Sequence, residues 1–351
     1  MLHWSLHTRT LPLRYTWKIS RNASTEKVNL LVRVGREGSA GPVGWGEAAP
    51  NVRYGETPES LQTDFARLLS AGLQHVGEEQ DLQELLDAQQ PAHALRFALE
   101  SAFIHYEAAR RGQTVGTYLG IDAAPGVVPT AFSLPIMEPE AVPEFVRTHA
   151  VARFPLLKLK VNQESGLALL KALTECLPGH PLLIDGNEAW QEPDSLLQFL
   201  EQAQMLPGLQ VRLLEQPMPA ACIEGYRYLH ARIPFPVFAD ESVTDTADFA
   251  EVARQFHGVN MKLMKAGGYR NGLHILEQTR AHGLQTMLGC MVETSLGIWS
   301  ALQVSPLAQI CDLDGFLIVR DEPFGLVQET GGQLTPQAKL PELDLANPTV
   351  I

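Results

Sequence analysis

Apolar and polar residues alternate along the first third of the chain in two different periods. Residues 2–17 and 28–34 carry aliphatic and β-branched side chains at strand spacing, with Leu30, Leu31, Val32 and Val34 the densest run. The polar stretch Lys18-Ile-Ser-Arg-Asn-Ala-Ser24 between them predicts a mobile loop. Gly35 to Gly41 predicts a turn into a third strand, Val43-Gly-Trp-Gly-Glu-Ala-Ala49, whose glycines permit close approach of other backbone. Beyond it the period becomes helical. Thr57-Pro58 is a cap and first-turn pair ahead of Leu61, Phe65, Leu68 and Leu69. Pro91 opens a longer helix that puts Ala94, Leu95, Phe97, Ala98, Ala102, Phe103 and Tyr106 on one apolar surface and ends near Gly112. These elements predict an α+β unit over residues 1–125, joined by a linker to the remainder of the chain.

From Thr130 strand and helix patterns take turns. Residues 131–136 predict a strand, 138–150 a helix and 156–161 a strand, and the alternation continues to about Phe316. Within Leu156-Leu-Lys-Leu-Lys-Val-Asn162 a period of two puts Lys158 and Lys160 on one face, where mutual repulsion is expected to lower the pKa of at least one. Three later apolar runs each end in an acid, Asp185, Glu215 and Asp240, and Val259-Asn-Met-Lys262 closes the series. From Lys160 onward the intervals are 25, 30, 25 and 22 residues, each room for one helix and one strand. That spacing predicts a barrel of parallel strands over 130–329, with the polar groups meeting at the carboxyl ends of the strands. The tail, 330–351, is expected to pack back on the amino-terminal unit and complete it.

Composition narrows the function. A chain of 351 residues, 45% of them hydrophobic, can bury a large core, and its net charge of −13 with no dense basic run argues against a nucleic-acid partner. No apolar stretch reaches membrane-spanning length and the amino end lacks a signal-peptide pattern, so a cytoplasmic protein without a membrane partner is expected. Cys176, Cys222, Cys290 and Cys311 are scattered and form no CxxC pair, which argues against both a disulfide framework and a thiolate zinc site.

The candidate chemistry lies in the acids and lysines. One acid after a strand does no more than cap the next helix, but three in one cleft repel strongly unless a cation lies among them. Ligands that offer only oxygen favour a hard ion such as Mg²⁺. Period two places Asn260, Lys262 and Met264 on one face, with Lys265 coming after the strand turns. Lysines on the second and sixth barrel strands approach the mouth from opposite sides, as a base and an acid flanking a planar intermediate should.

These residues together resemble the enolase superfamily, in its muconate-lactonizing subgroup. The matching pieces are Lys158-x-Lys160, Asp185 with Asn187, Glu215-Gln-Pro, Asp240-Glu-Ser, and Lys262 followed by Gly267-Gly268; Gly44-x-Gly-Glu47 and the helix from Pro91 look like the family's capping domain. The resemblance implies a modified (β/α)₇β TIM barrel with an α+β cap, and one Mg²⁺ held by Asp185, Glu215 and Asp240 with Glu241 behind them. It implies that Lys160 and Lys262 work on opposite faces of a substrate carbon whose α-proton is removed to give an ene-diolate.

Cys311-Asp-Leu-Asp314-Gly further resembles the Asp-x-Asp motif of dipeptide epimerases, which implies that Asp312 and Asp314 receive the α-ammonium group of a dipeptide such as L-Ala-L/D-Glu. Asn260-x-Lys-Leu-Met-Lys-Ala-Gly-Gly and Gly289-Cys-Met-Val-Glu293 look like the same family's sixth and seventh strand motifs. Ser133 and Met291 are expected to line the pocket, with Trp17 a candidate lid. Members selective for a glutamate side chain carry a basic residue on the cap loop, and Lys18, Arg21 and Arg14 are all candidates here. N-succinylamino acid racemase, o-succinylbenzoate synthase and muconate cycloisomerase are the competing reactions; none of them needs an ammonium site. A noncatalytic metal-binding scaffold is the alternative from another class. Many relatives self-associate, so a homo-oligomer is the expectation.

Overall fold

The computed structural model describes residues 1–36, 41–340, 343 and 349–350, the last pair by backbone alone. Much of the expected turn at Gly35–Gly41 and most of the tail beyond residue 340 therefore lie outside the described residues. Three antiparallel strands open the chain, β1 (Leu2–Lys18), β2 (Ala23–Arg36) and β3 (Val43–Ala48). The stretch from Lys18 to Ser24, expected as a mobile loop, is a short turn at residues 19–22 closed by the last pairs of the ladder: Lys18 faces Ala23, Trp17 faces Ser24, and Ile19 N donates to Asn22 O at 2.9 Å. Its polar composition reflects exposure at the hairpin tip and not absence of pairing. The register shifts between Pro12 and Trp17. There the backbone pairs elsewhere, with Leu13 opposite Val319 and Arg14 N donating to Ile318 O at 2.8 Å.

Four helices come next, α1 (Pro58–Ser70), α2 (Glu79–Gln89), α3 (His93–Arg110) and α4 (Val115–Leu119). Thr57 caps α1 as its sequence predicts, its side chain accepting from Ser60 N with Pro58 in the first turn. Helix α3 lies against β3 at backbone distance, because β3 offers glycines and α3 offers alanines there. A Cβ on Gly44 would stand 1.9 Å from Ala102 O, and one on Gly46 would stand 2.0 Å from Ala98 O. Neither neighbour is a flexible side-chain end, so Gly46→Ala forces the helix off the sheet. We expect it to cost about 3 kcal/mol, read as a lowered midpoint in urea; an unchanged midpoint would show that the helix can slide away freely.

After β4 (Val128–Pro129), the chain builds a second sheet of eight parallel strands: β5 (Ala131–Leu134), β6 (Leu156–Lys160), β7 (Pro181–Asp185), β8 (Gln210–Glu215), β9 (Val237–Ala239), β10 (Gly258–Met261), β11 (Gln285–Gly289) and β12 (Ile310–Asp312). Helices α5 (Val142–Thr148), α6 (Gly166–Cys176), α7 (Pro193–Gln204), α8 (Ile223–His230), α9 (Phe249–Gln255), the pair α10 (Leu263–Ala266) and α11 (Tyr269–Ala281), and α12 (Ser295–Leu302) fill the seven crossovers. This is the (β/α)₇β form of the TIM barrel beside an α+β cap. The two sheet edges meet: Leu313 N donates to Thr130 Oγ1 at 2.8 Å and Ser133 N to Asp314 Oδ2 at 2.6 Å. Leu183, Leu213, Phe238 and Met287, with Leu156 and Ile310 against them, fill the barrel interior as one apolar cluster. Gly258 leaves space for the Phe238 ring, which a Cβ would meet at 2.5 Å.

The cap and the barrel share buried polar joints. Glu47, at the end of β3, is buried and caps α12: its carboxylate accepts from Thr294 Oγ1 at 2.6 Å, Thr294 N at 2.9 Å and Gly297 N at 3.0 Å. On α3, His105 bridges Trp45 O at 2.6 Å and Tyr269 Oη at 2.9 Å. After the barrel, β13 (Val327–Thr330) and β14 (Gln333–Pro336) form a hairpin beside β4, and β15 (Thr349–Val350) pairs with β1.

Candidate active site

The period of two that sends Leu156 into the apolar interior sends Lys158 and Lys160 inward above it, and the same parity takes Leu183 to Asp185, Leu213 to Glu215 and Phe238 to Asp240. All of these polar groups are buried at the carboxyl ends of their strands. Lys158 is the hub. Its Nζ lies 3.1 Å from Asp185 Oδ2, 2.9 Å from Glu215 Oε2 and 2.9 Å from Asp312 Oδ2. Lys160 Nζ donates to Asp185 Oδ2 at 2.8 Å and Asn187 Oδ1 at 3.1 Å, and stands 5.6 Å from the centre of the Trp17 ring.

Lys262 comes one residue after β10, at the N-cap of α10, and donates to Asp240 Oδ2 at 2.7 Å. Met264, expected on the same strand face, belongs to the helical turn instead. That turn brings in Lys265, which is buried against Asp240 Oδ1 at 2.8 Å and also donates to the carbonyls of Asp240 and Asn260. Asp240 thus carries one ammonium group on each oxygen.

The charges are unequal in their comfort. Burial pulls the Lys158 pKa down, but Asp185, Asp312 and Glu215 overcome it and hold the group well above the usual lysine value, opposite to the depression expected from two neighbouring lysines. Lys262 is raised in the same way, burial being outweighed by Asp240. Burial alone would push Asp185 up; Lys158 and Lys160 bring it below the ordinary carboxylate range, and Lys262 and Lys265 do the same for Asp240. Glu215 is less well served. Burial, with Asp185 and Asp240 adding to it against Lys158, pushes its carboxyl up to about 7.

Cap residues close the site. Ser20 Oγ and Arg21 Nη1, at the hairpin tip, donate to Asn187 O at 2.7 and 2.9 Å; Arg21 also pairs with Glu188 and with Glu241, each at 2.7 Å. Arg53 binds Glu188 from a second cap loop at 2.8 Å. Asn187 and Glu188 hold left-handed backbone, φ 41° and 64°, at a cost of roughly 1 kcal/mol or more each. Asn187 N donating to Asp185 Oδ1 at 2.9 Å and Glu188 N to Gln216 O at 2.8 Å keep them there.

Across the cavity, Asp312 and Asp314 face Ser133, whose Oγ lies 3.3 and 3.4 Å from them, and burial with Asp312 beside it pushes Asp314 up to about 7. Met291 lines the same space, its sulfur accepting from Asn51 Nδ2 at 3.6 Å. The enclosed volume is ≈ 250 Å³, and Ser133, Lys158, Lys160, Asn187, Asp240, Glu241, Lys262, Met291, Asp312, Asp314, Arg21 and Trp17 all border it. Lys18 borders a separate groove with Tyr15, Phe145 and His149, and Arg14 Nε donates to Leu317 O at 3.0 Å.

A family model described as enolase C-terminal domain-like matches residues 141–323. The L-Ala-D/L-amino acid epimerase of Pedosphaera parvula is 33% identical over 329 residues, covering 92% of each chain. This chain belongs to the enolase superfamily. The L-Ala-D/L-Glu epimerase of Escherichia coli is 32% identical over 94% of this chain and 96% of its own. Among solved structures, an enolase family member from Agrobacterium tumefaciens with homology to dipeptide epimerases superposes with a TM-score of 0.85 at 28% identity, over 96% of this chain and 98% of that one. Within the superfamily the chain is of the dipeptide-epimerase type in the mandelate-racemase and muconate-lactonizing subgroup, an isomerase.

Three side chains at the site of this enolase-superfamily chain carry little local signal in the sequence. Lys265 follows Lys262 by three residues, a spacing that returns to the same side once the strand gives way to a helical turn. Glu188 directly follows Asp185-Gly-Asn187, yet nothing local marks it as the meeting point of two cap arginines. Lys27 borders the cavity from β2, a strand whose polar start gave no hint of burial.

Proposed function

We propose that the protein is a Mg²⁺-dependent dipeptide epimerase that inverts the α-carbon of the carboxy-terminal residue through Lys160 and Lys262. The observation that carries this is the placement of two buried lysines on β6 and just after β10. Those strands are four apart in an eight-stranded barrel, so the ammonium groups enter one cavity from opposite sides.

The residues fit a hard cation. Asp185, Glu215 and Asp240 offer only oxygen; beside them the buried Glu241 Oε2 accepts no hydrogen bond, and Glu215 Oε2 has the Lys158 ammonium at 2.9 Å. Among the described residues no three acids stand as an open metal-binding cluster; Lys158 lies between Asp185 and Glu215, and Lys262 lies against Asp240. Asp185, Glu215 and Asp240 would hold the ion. When bound, Mg²⁺ supplies the positive charge that offsets the charge developing on a substrate carboxylate.

The chain's own groups do the rest. One lysine, as the free amine, breaks the Cα–H bond and takes the proton on its nitrogen; the other, as the ammonium, returns a proton to the opposite face, so the configuration inverts and no atom is gained or lost. Asp312 and Asp314 hold the substrate's α-ammonium group, with Ser133 fixing their orientation. A cytoplasmic location and self-association belong to the same proposal. No helix among the described residues is long and apolar enough to cross a membrane.

The test is α-proton exchange in deuterated water with Mg²⁺ across L,L-dipeptides, N-succinylamino acids and controls. Exchange with free-amine dipeptides is expected; exchange confined to N-succinyl compounds would move the chain to the racemase and synthase reaction. Asp314 makes the reading more specific. Below pH 7 its carboxyl carries a proton and loses its attraction for an ammonium group, so KM for a dipeptide should rise as pH falls through about 7. Asp314→Asn should raise KM by about 10- to 100-fold and flatten that dependence; a KM profile identical to the parent's would remove Asp314 from the ammonium site.

A further inference from the structure

Two segments of the cap form the wall that faces the barrel mouth. The β1–β2 hairpin contributes Trp17 and Ile19, and the turn at 50–55 contributes Val52 and Tyr54. Their polar ties to the barrel converge on one carboxylate. Glu188 Oε2 accepts from Arg21 Nη1 at 2.7 Å and from Arg53 Nε at 2.8 Å, while Oε1 accepts from Arg53 Nη2 at 2.9 Å and Ala220 N at 3.0 Å.

We infer that Glu188 is a positioning residue that latches both cap segments over the cavity and makes them open and close together. The inference goes beyond the epimerase reading, since it concerns how the site is covered and not which bond is broken. Coupling follows from the shared oxygen. With two guanidinium groups on Oε2, each arginine holds the carboxylate in the orientation that the other needs, so loss of one weakens the other. The acid itself stays with the barrel. Its side chain is 8% exposed, and its backbone N donates to Gln216 O at 2.8 Å. Burial pushes its carboxyl up, but Arg53, the Ala220 N–H and Arg21 outweigh that and hold it below the ordinary carboxylate value. The arginine side chains are 31% and 36% exposed, so water can take the place of the acid when a segment lifts.

The two segments depend on the latch unequally. The hairpin has further fastenings: Ser20 Oγ on Asn187 O, Arg21 on Glu241, and Ile136 N donating to Lys18 O at 2.9 Å. The turn at 50–55 is tied largely to itself, Asn51 accepting from Arg53 N and Tyr54 N. Among the described residues its other polar contact with the barrel is the weak one from Asn51 Nδ2 to the Met291 sulfur at 3.6 Å. The turn should therefore respond more strongly than the hairpin when the acid is altered.

The experiment is amide hydrogen exchange by mass spectrometry on the full-length parent, Glu188→Gln, Arg53→Met and Arg53→Lys, followed in peptides spanning 17–24 and 50–56. Glu188→Gln should speed exchange in both by about tenfold. Arg53→Met is decisive, because it touches one segment and is read in the other. A shared latch makes the hairpin exchange several-fold faster, with Arg53→Lys restoring most of the protection. Hairpin exchange unchanged in Arg53→Met would show two independent segments and overturn the inference; so would acceleration spread equally into β7 and β8, which would make Glu188 a residue of the fold. Kinetics with Mg²⁺ and L-Ala-L-Glu supply a second readout. A latch that shifts only the closed fraction raises KM and spares kcat, so Glu188→Gln should raise KM by about tenfold with kcat within about twofold of the parent. A fall in kcat at unchanged KM would overturn the latch. Absence of exchange with every dipeptide would remove the epimerase reading, and the amide measurement would still decide the role of Glu188.

Discussion

Lys160→Ala and Lys262→Ala should each abolish epimerisation while still exchanging the α-proton of one substrate epimer. The loss should be on the order of 10³-fold or more in kcat, the scale of a missing general acid or base. The geometry separates this from a folding defect. Removing Lys160 leaves Asp185 with Lys158 at 3.1 Å, and removing Lys262 leaves Asp240 with Lys265 at 2.8 Å, so neither carboxylate is stranded. Both variants should therefore melt near the parent. The retained half-reactions should be complementary: with one base gone, the other still reaches the proton on its own face. If both variants epimerise fully, the two-lysine assignment is wrong; if both lose all exchange, the lysines serve binding and not proton transfer.

Stripping divalent metal with a chelator should stop α-proton exchange, and Mg²⁺ should restore it. The independent readout is thermal. An ion that binds only the folded chain adds about 2.7 kcal/mol of stability at a hundredfold excess over its Kd, so the midpoint should climb with Mg²⁺ concentration. Acidity sets the sign of a second effect. Without the ion Glu215 is pushed up to about 7, so below that pH a proton competes for the site and apparent affinity should fall by as much as about tenfold per pH unit. Glu215→Gln should weaken binding and remove that slope. A melting point indifferent to Mg²⁺, together with exchange that survives the chelator, would exclude the ion from the site.

Those residues that a strand places by parity were legible beforehand. Lys158 and Lys160 read as inward because the barrel interior begins at Leu156 on the same face, and Asp185, Glu215 and Asp240 each stand two residues beyond an interior side chain. A rule that depends only on neighbours in the chain can be read from the chain. The hairpin tip could not. Residues 18–24 look like a loop because their outer faces are wet, while their pairing is decided by strand β1 and their polar contacts by Asn187, Glu188 and Glu241 on the barrel. The raised pKa of Lys158 was hidden for the same reason: its near neighbour in sequence is one cation, but its neighbours in space are three carboxylates.

The joint between β3 and α12 bears on how such a chain can be re-engineered. Glu47 accepts from Thr294 and Gly297 of the barrel as well as from Asn29 of the cap, His105 reaches across to Tyr269, and one continuous apolar core runs from Leu2 to Leu334. The cap is thus not an interchangeable module. A chimera that grafts another family member's cap onto this barrel would orphan a buried acid and open a seam through the core, even if its specificity loop were ideal. New substrate preferences are more accessible by point changes along the 17–27 hairpin, which faces the cavity on one side and water on the other.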